Sequence, residues 1–148
     1  MDPSFEPLTE SEQQWIRDQV DRAREFAHEF DSQAPDGQPS LESLDVAFAA
    51  YLASDCEPSR ANDVVLAVGA AFGARLVEDL GFRWVIATDD YGTDLAVLAR
   101  PGRGNVTIYP SDFVAKRYER REAPFLAASI AKIRDHLREI AAEWGDSP

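Results

Sequence analysis

The apolar positions Ile16, Val20, Ala23, Ala27 and Phe30 recur at the spacing of one helical face, with Trp15 and Phe26 beside the stripe. The remaining faces of this segment are charged, so the pattern predicts a first amphipathic helix from Ser11. Pro35, Gly37 and Pro39 mark the following stretch, residues 31–40, as a loop. Ser40 is placed to cap a second helix whose apolar face is Leu41, Leu44, Phe48 and Leu52, and which breaks at Pro58. A third helix is expected from near Asn62 to Leu80, with Val65, Phe72, Leu76 and Leu80 in period and Gly81 as its C-terminal cap. Gly69 and Gly73 lie one turn apart inside it. Glycine weakens a helix, so the pair is read as a place where another backbone comes close.

At "GFRWVIATD" the period switches from about 3.6 to 2. Trp84, Ile86 and Thr88 fall on one face of a strand, and Arg83, Val85, Ala87 and Asp89 on the other. "TDLAVLAR" alternates in the same way and "NVTIYP" forms a third short strand, separated by the turns "DDYG" and "PGRGN". The expected sheet, residues 82–109, is a three-stranded antiparallel meander. Both of its faces are partly apolar, so each is expected to meet helices or a partner chain. After Pro110 the helical period returns. Ser111 can cap a short helix, and Pro124 suits the first turn of a long final one. Leu126, Ile130, Ile133, Leu137, Ile140 and Trp144 form the stripe of that last helix. The fold class is therefore α+β: an irregular lead-in over residues 1–9, three helices, the meander and two helices. They are expected to pack as one layered domain spanning residues 1–148.

Charge narrows the partners. Twenty-seven acidic residues against fifteen basic ones give a formal charge of -12, which repels a phosphate backbone and an anionic membrane alike. Neither nucleic acid nor membrane is expected as a partner. The N-terminal "MDPSFEPLTESEQQW" has no basic region and no apolar run behind it, and no stretch has the length of a membrane span. A cytoplasmic protein is the expectation. Cys56 is the only cysteine and sits between Asp55 and Glu57, whose charges oppose a reactive thiolate. His28 and His136 lie in the first and last helices without metal-ligand spacing. No catalytic residue, metal ligand or cofactor is assigned.

Two clusters carry candidate chemistry. Asp89, Asp90 and Asp94 surround a glycine turn. They lack the alternation and the late glutamate of a calcium loop, so they read first as turn builders, with Asp89 and Asp94 as secondary site candidates. "AKRYERR" sets Lys116 and Arg120 on one helical face and Arg117 and Arg121 on another, just after Tyr109. With Arg83 and Trp84 from the sheet, this basic patch can contact an anionic ligand or a partner, or pair with the chain's own acids. The candidate contact residues are Arg83, Trp84, Tyr109, Lys116, Arg117 and Arg120.

The parts "GFRWV", "DDYG" and "SDFVAKRYE", with "VGAAFGARLVEDL" in front, resemble a small bacterial domain family of unknown function over residues 62–122. The resemblance implies helices preceding a small meander, and no substrate, cofactor or catalytic residue. Three readings follow. The first is a non-enzymatic interaction domain, self-associating or adaptor- or immunity-like. The second is a small-molecule or phosphate-binding domain built on the basic patch, opposed by Asp89 or Asp94. The third is a metal-independent hydrolase with dispersed site residues.

Overall fold

In a computed structural model, which describes residues 3–55 and 57–145, the elements follow chain order. They are β1 (Ser4–Glu6), α1 (Glu10–Phe30), α2 (Leu41–Ala53), α3 (Pro58–Leu80), β2 (Arg83–Asp89), β3 (Gly92–Ala99), β4 (Val106–Ile108), α4 (Pro110–Arg120) and α5 (Leu126–Glu143). This is an α+β architecture with five helices and one antiparallel sheet in the order β1-β2-β3-β4. The sheet has four strands where the sequence pattern predicts three. The addition is β1, inside the lead-in read as irregular, which pairs with β2 so that Phe5 faces Ala87. Three residues between two prolines are too few to show alternation.

Local chemistry sets most of the helix ends. Thr9 and Glu12 form a reciprocal capping box at the start of α1, each side chain accepting the other's backbone N–H, at 3.2 and 2.8 Å. The Ser40 hydroxyl accepts the Ser43 N–H at 3.0 Å and starts α2, and Gly81 closes α3 in the left-handed region at φ 74°. Two starts differ from expectation. Pro58 opens α3 instead of merely ending α2, and Pro110 opens α4 with Tyr109, not Ser111, at the cap position. In both helices proline occupies a first-turn position, where its missing N–H costs nothing. Pro124 lies before α5, which begins at Leu126.

The main core lies between α1, α2, α3, α4 and α5 and one face of the sheet. Phe26, Phe30 and Tyr51 close a ring cluster with centroids 5.1 to 5.8 Å apart, and Phe72 stacks on Phe113 at 5.1 Å. The glycine pair of α3 is the point of closest approach. A Cβ at Gly69 would stand 2.9 Å from the Ser111 backbone Cα, and one at Gly73 would overlap the Trp84 ring. Both glycines therefore let α4 and β2 seat against α3, as their spacing suggests.

The start of α5 carries no cap of its own, because Phe125 holds the cap position. Asp45, buried on α2, supplies it from across the molecule. Its carboxylate accepts the N–H groups of Phe125, Leu126 and Ala127 at 2.9, 2.7 and 3.1 Å. A negative charge on the free amides of a helix N-terminus is the favourable arrangement, and each such bond contributes about 1.5–3 kcal/mol. Asp45 thus fastens α5 to α2. No helix among the described residues is long and apolar enough to cross a membrane.

Candidate functional site

The alternation of β2 separates the residues that the sequence groups together. Trp84 turns toward α3, where its ring lies over Gly73, while Arg83 belongs to the opposite face, across from Leu98. The basic residues of α4 have acids close by. Lys116 pairs with Asp112 at 3.1 Å, and Arg117 and Arg120 approach Glu122 at 3.8 and 3.9 Å. The Arg117 guanidinium also lies 3.9 Å from the centroid of the Phe113 ring.

The outer face of the sheet also departs from expectation. Val85, Ala87, Ala96 and Leu98 form a second apolar cluster on which Phe5 and Tyr109 pack, and all four are already buried within the chain. Tyr109 reaches from the end of β4 to the hairpin carboxylates. Burial raises its phenol pKa first, followed by the charges of Asp89 and Asp94 and a hydrogen bond with Asp89. The structure therefore brings Tyr109, Asp89 and Asp94 together.

Both aspartates also build the turn. Asp89 Oδ1 accepts the Tyr91 N–H at 2.8 Å, and Asp94 Oδ1 accepts the Leu95 N–H at 2.8 Å. Among the described residues no three acids or histidines are grouped to hold a metal ion. His28 is exposed in the last turn of α1, and His136 lies 3.9 Å from Glu139 on the exposed side of α5. Cys56 lies outside the described residues.

One open surface, besides the exposed Val46 and Trp144 elsewhere, is the end of the sheet where the β2–β3 hairpin meets the first half of α1. Trp15, read from the sequence as flanking the helix stripe, is 37% exposed, and Tyr91 at the hairpin tip is 99% exposed. Trp15, Ile86 and Leu95 form the apolar part of a groove of about 360 Å³, closed by Glu12, Thr93 and Asp94. Thr88 and Thr93 join their hydroxyls across the strands at 2.9 Å beside it. Sequence reasoning missed this surface because α1 and the hairpin lie some seventy residues apart. The one local signal was Trp15, an aromatic residue beside the main stripe. A second cleft of about 480 Å³ between α1 and α3 contains Arg60, which is tied to Glu29 at 2.7 Å.

The fold and surface define an acidic α+β domain with a self-contained core and one aromatic, carboxylate-rimmed end. The chain belongs to the family described as a domain of unknown function, DUF3806, whose model matches residues 51–128. The match covers α3, the β2–β4 meander and α4, and includes the region of resemblance noted in the sequence. No curated protein and no solved structure matches the chain.

Proposed function

We propose that this chain is a non-enzymatic interaction domain that works by contact with another protein, through the groove between α1 and the β2–β3 hairpin. The observation that carries the reading is Trp15, 37% exposed beside the apolar pair Ile86 and Leu95, with Tyr91 fully exposed at the tip of the same hairpin. Aromatic side chains beside a small apolar groove are the common anchors of protein contacts. Two further features favour this surface over others. The outer sheet face is covered from within, and Lys116, Arg117 and Arg120 each have an acid of the same chain nearby. The short edge strands β1 and β4, three residues each, offer little backbone for strand addition.

A photoreactive amino acid in place of Tyr91, in the native cell, tests the reading. A discrete cross-linked adduct is expected from position 91 and not from Lys132 on the exposed side of α5. Equal labelling from both positions, or none from position 91, contradicts it.

A further inference from the structure

We infer that the partner presents a basic segment carrying a leucine- or phenylalanine-sized side chain, which seats on Trp15, Ile86 and Leu95 between the carboxylates of the hairpin and α1. The inference rests on the interaction reading above and adds the chemistry of the occupant. Charge complementarity carries it. The charged side chains among the described residues that line the groove are Glu12 and Asp94, and both are acids. Asp89 and Asp90 stand at the neighbouring turn, and Glu10 joins Glu12 in the first turn of α1. A chain of formal charge -12 adds a long-range field of the same sign. A second copy of this chain would bring a like charge to the surface, and a nucleic-acid strand would be repelled by it. An arginine or lysine flanking an apolar anchor meets both features at once: the anchor fills the groove and the cations meet its rim.

The test uses the full chain labelled with 5-fluorotryptophan, so that Trp15, Trp84 and Trp144 each give a fluorine resonance. The probe is a short synthetic peptide alternating arginine with leucine and phenylalanine. One control replaces arginine by glutamate and another replaces the apolar residues by serine. The expected result is a saturable shift of the Trp15 resonance with the first peptide only, while Trp144, just past the end of α5, stays in place. Affinity should fall about tenfold when ionic strength rises from about 0.05 to 0.5 M, since rim charges are screened. The double variant Asp90→Asn, Asp94→Asn should weaken binding to a similar degree, and the asparagine amide at position 94 keeps an oxygen for the Leu95 N–H. Equal shifts at all three tryptophans would show diffuse attraction to an acidic protein and overturn the inference. Equal binding of either control peptide, or no saturable shift, does the same. If no peptide shifts Trp15 while the position-91 adduct persists, the basic occupant is wrong and the interaction reading stands.

Discussion

Asp45 and Asp94 do the same local job in opposite settings, since each carboxylate accepts a backbone N–H. Asp45 is buried between α2 and α5 and takes three N–H groups from a segment eighty residues away in sequence. Asp94 is exposed and takes the N–H of its own neighbour, Leu95. Removing the first leaves buried donors without partners, whereas water can replace the second. The α2–α5 joint is therefore where carboxylate chemistry holds the fold together. The hairpin end has acids that hold only local turn N–H groups, on the same hairpin as the exposed Tyr91. The carboxylate that holds the fold and the surface proposed for recognition lie on different elements.

The largest effect should come from breaking the joint. Asp45→Ala should destabilise the protein by about 3 kcal/mol or more in urea unfolding, because two buried N–H groups and one half-buried one lose their acceptor. Asp45→Asn keeps one oxygen and should cost about 1–2 kcal/mol. A loss below about 0.5 kcal/mol for Asp45→Ala would remove the distinction between the two carboxylates.

Next in size is the α3 contact. Gly73→Ala should cost about 2–3 kcal/mol, since its Cβ would meet the Trp84 ring and lie 3.0 Å from Pro110 Cγ. Alanine is the better helix former by about 1 kcal/mol, so a stabilised variant would show that α3 and β2 pack less tightly than described.

At the other end, Trp15→Ser should lower the thermal midpoint less than Asp45→Ala does, since over a third of the ring surface is exposed, while abolishing the adduct from the photoreactive residue at position 91. A large fall in the midpoint would make this end part of the core.

The smallest effect concerns Tyr109. Its phenol pKa lies above its ordinary value near 10, raised by burial and then by Asp89 and Asp94. The folded state thus holds this proton more tightly than the unfolded chain. The associated stability is complete below about pH 10 and is lost as pH rises through the folded-state value. Ultraviolet titration should lose one late tyrosine equivalent on Tyr109→Phe. An unchanged late amplitude after the substitution would detach Tyr109 from the hairpin acids.

Much of the fold was legible because helical and strand periods are local. The stripes of α1, α2, α3 and α5, the caps Ser40 and Gly81, and the β2–β3–β4 meander all appear in the residue pattern. Strand β1 was hidden by its three-residue length. The role of Asp45 was also missed, although one signal existed: an acid beside Leu44 on an apolar helix face, with no capping side chain ahead of Leu126. The candidate residues were only partly grouped. Tyr109 does meet Asp89 and Asp94, but β-strand alternation sends Arg83 to the face away from Trp84. The groove was invisible because only tertiary packing brings Trp15 beside Ile86 and Leu95.

The division between the two ends is tested most directly by the yield of photo-adduct from a reactive residue at position 91 in two backgrounds. With Trp15→Ser the adduct should disappear although the protein stays fully folded. With Asp45→Asn it should persist at wild-type yield although the protein is less stable. Loss in the Asp45 background with retention in the Trp15 background would contradict the account.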